Sequence, residues 1–267
     1  MQCDVIAEIG WNHMGDMDLA KKMVVAAKES GADFAKFQTW SVKNLKSGPW
    51  DTDGRLDIYK QAELTQEQHR ELADFCDGVG IRFLTSVFNI GDVAWLPDIS
   101  DEAIKVPSHE VHNTELMRAL DGRFKRVFVS TGAASWDEVT NIPNAFSQSD
   151  LTLLHCVSAY PCPAERVNLP RMTSLRELCG SVGYSGHFFG TEDAIAAMGM
   201  GATVIEKHFT LDRDLPGRDN KFAILPEDMK KICEFRDAYQ HMTVPLGSSS
   251  QDCEQDIIDN YRGRWSA

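Results

Sequence analysis

No apolar run in the sequence approaches the ~20 residues that a membrane-spanning helix needs, which excludes a helical span. The opening Met1-Gln2-Cys3-Asp4 lacks the basic-then-apolar layout of a secretory signal and predicts a cytoplasmic protein with no membrane partner. Positive charge is scarce: 27 Lys and Arg against 40 Asp and Glu leave a net charge of −13. Such a chain is a poor general partner for nucleic acid. A few lysines gathered in one pocket can still oppose that field and hold a small anion. The seven cysteines, at 3, 76, 156, 162, 179, 233 and 253, are odd in number and irregular in spacing. That argues against a disulfide framework or a zinc knuckle and predicts reduced thiols in or near a core. Low-complexity tracts are missing too, which excludes disorder, collagen and coiled coil.

What is present is an ordinary globular composition, 43% hydrophobic and 25% charged, in 267 residues. A single (β/α)8 barrel needs about 250. Short β-rich runs alternate with longer amphipathic ones. Strands are predicted at 5–10, 34–39, 82–88, 103–108, 127–132, 151–158, 182–187 and 204–210. Helical patterns cover 18–30, 65–80, 113–122, 135–146, 169–180, 191–201 and 226–242, the second opening on a Thr65-x-x-Gln68 capping pattern. Segment 90–99 is the faintest helical pattern. Eight parallel-type strands joined by crossovers of this size predict an α/β fold closed as a (β/α)8 TIM barrel over 1–246, with 247–267 as a tail. An open doubly wound sheet is the alternative, but the first βα turn, Glu8-Ile9-Gly10-Trp11-Asn12-His13, carries no dinucleotide glycine fingerprint. The polar stretch 41–62, punctuated by Gly48-Pro49 and Asp53-Gly54, predicts a loop that forms a substrate wall or lid.

In such a barrel the chemistry sits at the C-terminal ends of the strands. There the sequence places Glu8; Lys36 and Gln38; Thr85 and Ser86; Lys105, Ser108 and Glu110; Ser130 and Thr131; His155, Ser158 and Tyr160; Ser185 and His187; and Glu206, Lys207 and His208. Alternate residues share a face, so Lys36/Gln38, Ser185/His187 and Glu206/His208 each project as a pair. Lysines and hydroxyls converging on one mouth predict an anion site for phosphate plus carboxylate. Two histidines on adjacent strands predict divalent-metal ligands completed by water or substrate oxygens. A lone lysine can be a snorkelling residue and a lone histidine a structural one. His13, His69, His109, His112, His155 and His241 take that structural reading.

These residues also carry a resemblance. Glu8-Ile-Gly-Trp-Asn-His-Met-Gly, Gly31-Ala-Asp-Phe-Ala-Lys36-Phe-Gln38, Leu154-His-Cys-Val-Ser-Ala-Tyr160-Pro, Gly183-Tyr-Ser-Gly-His187, Gly201-Ala-Thr-Val-Ile-Glu-Lys-His208-Phe-Thr and Pro216-Gly-Arg-Asp219 resemble the sialic acid synthase family, in family order along nearly the whole chain. The resemblance implies an enzyme condensing phosphoenolpyruvate with an N-acetylated sugar aldehyde such as N-acetylmannosamine. The products would be a nine-carbon keto acid and phosphate, with Mn²⁺ or Mg²⁺ required. It implies that Lys36, Ser86, Lys105, Ser108 and Ser130 hold phosphoenolpyruvate, with Ser158 and Ser185 around it. His187 and His208 would bind the metal, and Glu8, Gln38, Glu110, Tyr160 and Asp219 would face the sugar. Glu8, Lys36, Lys105 and Glu110 are the catalytic candidates, with Glu110 and Glu206 candidates for activating water.

The chain departs from the family pattern in places. Strand three reads Thr85-Ser86-Val87-Phe88 rather than Ser-Thr-Pro-Phe, and strand four Lys105-Val-Pro-Ser108-His-Glu110 rather than a Gly-Ser-Gly-Glu pattern. Gly186 stands where an Asp often precedes the first metal histidine, and Ser158 where sialate-forming members have Asn. Asn260-Tyr-Arg-Gly-Arg264-Trp-Ser-Ala267 resembles the linker that leads into a small antifreeze-like domain. The expectation is therefore a barrel without that domain, forming a homodimer or using a separate antifreeze-like partner. Alternatives are a different aldose acceptor (legionaminate, pseudaminate or spore-polysaccharide type), a non-catalytic binding barrel, or a metal-dependent hydrolase on the same fold.

Overall fold

The computed structural model describes residues 3–265. Its framework is eight parallel strands in sequence order: β1 (Asp4–Gly10), β2 (Phe34–Thr39), β3 (Arg82–Val87), β4 (Ala103–Val106), β5 (Arg126–Ser130), β6 (Asp150–Cys156), β7 (Val182–Gly186) and β8 (Val204–His208). Each pairs with the next, and β8 closes on β1 from Asp4↔Val204 to Glu8↔His208. This is the expected (β/α)8 barrel. Around it run α1 (Met17–Glu29), α2 (Arg55–Ala62), α3 (Gln66–Val79), α4 (Thr114–Leu120), α5 (Trp136–Asn141), α6 (Arg171–Arg176), α7 (Glu192–Gly199) and α8 (Pro226–Met242), followed by a short α9 (Gln255–Asn260). Among the described residues no helix is long and apolar enough to cross a membrane.

Alternation along the strands divides the barrel interior into layers. Ile6, Phe34, Leu84, Ala103, Phe128, Leu154 and Val204 fill the middle. Below them Asp4 accepts from Arg82 at 2.6 Å and pairs with Arg126 at 2.7 Å, closing the N-terminal end. Two positions further along most of the same strands the inward residues turn polar: Glu8, Lys36, Ser86, Lys105, Ser130 and Glu206, all buried. Outward residues form the larger core between strands and helices. A register shift between Glu8 and Gly10 in β1, with Gly10 at φ +56, bends the strand end. A Cβ at Gly10 would lie 3.2 Å from both Gln38 Nε2 and Glu8 Oε1, so glycine lets these two groups meet.

Several elements are shorter than their sequence patterns. β4 stops at Val106 because Pro107 has no N–H for a further ladder bond. β6 ends at Cys156, so Ser158 lies beyond the sheet. The helical pattern at 135–146 becomes α5 plus a 3-10 turn, Ile142–Ala145, with Pro143 interrupting. The faint 90–99 pattern is two 3-10 turns, Ile90–Ala94 and Leu96–Asp98. Conversely, 41–62 is more ordered than a loop, because it contains α2. Only Ala62 of that helix is buried, which left little periodicity to read. The Thr65/Gln68 capping box opens α3 as expected. The tail from 247 carries a 3-10 turn, Asp252–Glu254, and α9, neither with a buried residue. All seven cysteines are free thiols.

Candidate active site

The polar layer of the barrel is a ring of paired charges. Lys36 Nζ lies 2.7 Å from Glu8 Oε2 and 3.6 Å from Glu206 Oε2, and donates to Ser86 Oγ at 2.7 Å. Lys105 Nζ donates to Glu206 Oε1 at 3.0 Å, and Ser185 Oγ donates to the same oxygen at 2.8 Å. Gln38 Nε2 donates to Glu8 Oε1 at 2.9 Å. Burial costs each of these charges several kcal/mol, so the ring persists through mutual pairing. Burial works against the Glu206 carboxylate, yet Lys105 and Lys36 outweigh it and hold its pKa far below the usual carboxylate range. For Glu8 burial dominates over Lys36, and its carboxyl is raised. Burial also opposes the Lys36 charge, but Glu206 and Glu8 lift it above an ordinary lysine. Lys105 is pulled below one by burial, which Glu206 only partly offsets. The ring therefore sets two ammoniums against Glu206, held firmly ionised, and Glu8, whose charge burial makes less favourable. That balance favours an added anion.

This ring floors a cavity of about 700 Å³ at the C-terminal end of the barrel. Glu8, Lys36, Gln38, Ser86, Lys105, Ser108, Glu110, Ser130, Tyr160, Ser185, His187, His208 and Asp219 all line it. Ser108 Oγ accepts from the Gly132 N–H at 3.1 Å. The buried Ser130 hydroxyl has no hydrogen-bond partner among the described residues, a donor left over for a ligand. Ser158 is exposed beyond β6 and is not among the lining residues.

Also lining the cavity, the His187 and His208 rings lie with centroids 5.3 Å apart, and Tyr160 packs on His187 at 4.1 Å. His187 Nδ1 is 2.9 Å from the Val157 carbonyl, which sets the ring and leaves Nε2 for a ligand. Buried His208 Nδ1 has no hydrogen-bond partner and stands 3.7 Å from Asp219 Oδ2. Burial, with the cations His187 and Lys36 nearby, keeps His208 neutral. Among the described residues no group of three His, Cys, Asp or Glu forms a closed metal site. Two imidazoles, His208 held neutral with an unmatched buried nitrogen and His187 giving up its proton on binding, are a donor set that fits a divalent ion needing further oxygens from water or substrate.

The strand ends also carry polar residues that face away from the cavity. Thr85 bonds Thr39 behind β2, Thr131 bonds the Leu154 carbonyl, and His155 Nε2 meets the Val167 carbonyl at 2.7 Å. Lys207 points outward to Asp193. Strand parity assigns each of them to the helix side.

Glu206, placed by the sequence at the β8 end beside His208 and as a candidate for activating water, is the centre of the ring. Other lining residues were not expected from the sequence. Trp11, Trp40 and Tyr59 form an aromatic wall: Trp11 stacks on Tyr59 at 5.2 Å, and Trp40 meets Tyr59 edge-on at 5.8 Å. Trp11 Nε1 donates to Asp219 Oδ2 at 2.6 Å. The positions of Trp11 and Trp40 just past β1 and β2 were the available signal. His109 and His112, read as structural, also line the cavity, as does Arg218.

Comparison with known proteins identifies the family. The profile of the NeuB family matches residues 23–246. The chain is 36% identical to the N,N'-diacetyllegionaminic acid synthase of Campylobacter jejuni subsp. jejuni, across 95% of this chain and 81% of that protein. It is 32% identical to the pseudaminic acid synthase of the same organism, across 96% and 78% respectively. A crystal structure of N-acetylneuraminic acid (sialic acid) synthetase from Leptospira borgpetersenii in complex with citrate superposes with a TM-score of 0.88 at 29% identity, covering 99% of this chain and 93% of that one. With a family match over most of its length and relatives above 30% identity, the chain belongs to the NeuB family.

Proposed function

We propose that the protein is a sugar-acid synthase that forms a carbon–carbon bond between phosphoenolpyruvate and a sugar aldehyde and releases phosphate. The observation that carries this reading is the buried Lys36–Glu206–Lys105 array beneath the cavity, flanked by unpaired Ser130. Lys36, Lys105 and the Ser86, Ser108, Ser130 and Ser185 hydroxyls hold the carboxylate and phosphate of phosphoenolpyruvate, with Ser158 at the rim. The rigid strands that carry Lys36, Ser86, Lys105, Ser130 and Ser185 orient C3 toward the acceptor aldehyde carbon. Bond formation leaves positive charge at C2, which Glu8 and Glu206 stabilise electrostatically. Water then adds at C2 and the C–O bond to phosphate breaks, with Glu110 at the cavity wall as a base for that water. Glu206, already bound to both lysines, is a poorer base than sequence alone suggested.

His187 and His208 would hold a divalent ion, Mn²⁺ or Mg²⁺. When bound, such an ion would supply Lewis-acid polarisation of the acceptor's aldehyde oxygen. Gln38, Tyr160 and Asp219 bind the sugar hydroxyls. The products belong to the nine-carbon acids named for the relatives: sialic, legionaminic or pseudaminic. The Trp11/Trp40/Tyr59 wall favours an acceptor with C–H-rich faces, such as a deoxy acetamido sugar, over a heavily hydroxylated or phosphorylated one. A screen of aldoses for phosphate release from phosphoenolpyruvate tests the reading. Release with acetamido aldoses supports it, and turnover without phosphoenolpyruvate would point to a hydrolase instead.

A further inference from the structure

The two histidines sit at the ends of β7 and β8, and a second buried ion pair lies directly behind them, outside the barrel. Lys207 pairs in register with Gly186, so both face outward between inward-facing neighbours. The Lys207 ammonium donates to Asp193 Oδ1 at 3.0 Å, Asp193 Oδ2 at 2.9 Å and the Phe188 carbonyl at 2.7 Å. Its three donors are thus all used. Asp193, in the first turn of α7, also accepts from Tyr184 Oη at 2.9 Å. Both side chains are 2% exposed. A Cβ on Gly186 would lie 2.4 Å from both Asp193 Oδ2 and Tyr184 Cε1, so the carboxylate and the ring it accepts from together fill the space a side chain at 186 would take. Gly186 and Asp193 therefore depend on each other.

We infer that Asp193, acting through Lys207, is a positioning residue for His187 and His208. Lys207 links the residue after His187 (through the Phe188 carbonyl) to the residue before His208 (Lys207 itself). The Cys162 N–H holds the His187 carbonyl at 2.9 Å from the other side. Together these contacts fix the separation of the two strand ends. A buried pair that served stability alone could be replaced by apolar side chains at little cost. A pair that sets the strand ends cannot: neither side chain touches an imidazole, so the effect passes through the backbone at 188 and 207 and is expected at the lower end of the roughly 10–100-fold found for groups bonded to the ligands themselves.

The inference rests on the proposed metal role of the histidines. The test uses the full chain and Mn²⁺ as probe, with bound metal read by electron paramagnetic resonance titration and folding by thermal melting. Asp193→Ala/Lys207→Met removes both charges. It should melt near the wild type yet bind Mn²⁺ about 10-fold or more weakly, with a fall in kcat larger than any rise in KM for phosphoenolpyruvate. Tyr184→Phe, which keeps the pair and removes one hydrogen bond, provides a milder variant that should weaken Mn²⁺ binding by a smaller factor. If the wild type binds Mn²⁺ and both variants bind it equally well, the positioning role is overturned while the functional reading stands. If the wild type binds no Mn²⁺, the metal reading falls and takes this inference with it.

Discussion

The Lys105 ammonium and the Glu206 carboxylate meet at 3.0 Å in a layer of the barrel where neither reaches bulk water. Each comes from a strand on opposite sides of the closed sheet, so the barrel itself sets their separation. Glu206 also faces Lys36 and Ser185, which makes it the one group shared by both lysines.

Glu206→Gln should accordingly leave two buried ammoniums short of a counter-charge. The free protein is expected to lose about 3–5 kcal/mol of stability. Phosphoenolpyruvate should then raise the melting temperature of the variant more than that of the wild type. Equal melting temperatures without ligand would contradict the shared-pair account.

Lys105→Met should chiefly weaken phosphoenolpyruvate binding. Loss of one charged hydrogen bond is worth about 1.5–3 kcal/mol, or roughly 10–100-fold in Kd. Calorimetry measures this directly, and an unchanged Kd refutes the anion role of Lys105.

His187→Ala should abolish most turnover and also weaken Mn²⁺ binding. Near-wild-type turnover with unchanged metal occupancy would remove the histidine pair from the account.

Trp11→Ala should raise KM for the sugar acceptor and leave KM for phosphoenolpyruvate in place, because Trp11 touches Tyr59 and Asp219 rather than the lysine floor. Equal increases in both KM values would argue for a general loss of cavity structure.

A fifth expectation concerns stability and pH away from the cavity. Its slight burial raises the Asp121 carboxyl, but hydrogen bonds from the Gln148, Ser149 and Ser147 N–H groups and the Ser147 hydroxyl outweigh this and hold it at about 2. A depressed folded pKa stabilises the fold above the unfolded value of about 3.9, and that contribution fades as pH falls toward 2. Asp121→Asn should therefore melt lower than the wild type at neutral pH, with the gap narrowing through this acid range. A gap independent of pH would contradict it.

Much of this layout was legible in the sequence, for reasons that differ by residue. β-rich runs and their spacing placed the eight strands, and period-2 alternation put Lys36 with Gln38 and Glu206 with His208 on one face. Parity along β8 was visible as well, yet Lys207 was grouped with the polar strand ends because nothing local reveals its partner. Asp193 is 14 residues away along the chain, on the helix that crosses back over the sheet. The aromatic wall was missed for a similar reason: Tyr59 belongs to a helix with one buried residue, and its contacts to Trp11 and Trp40 are tertiary. In the sequence Ser158 continues the strand-six pattern, whereas β6 ends at Cys156 and leaves it at the exposed rim.

The central claim is that the lysine floor and the histidine pair work on two substrates in one cavity. It is tested most directly by phosphate release from phosphoenolpyruvate with Mn²⁺ present, with and without an acetamido aldose. The account predicts release only when phosphoenolpyruvate, aldose and metal are combined, together with a new keto acid in equal amount. Release without aldose, or none with any aldose tried, would contradict it.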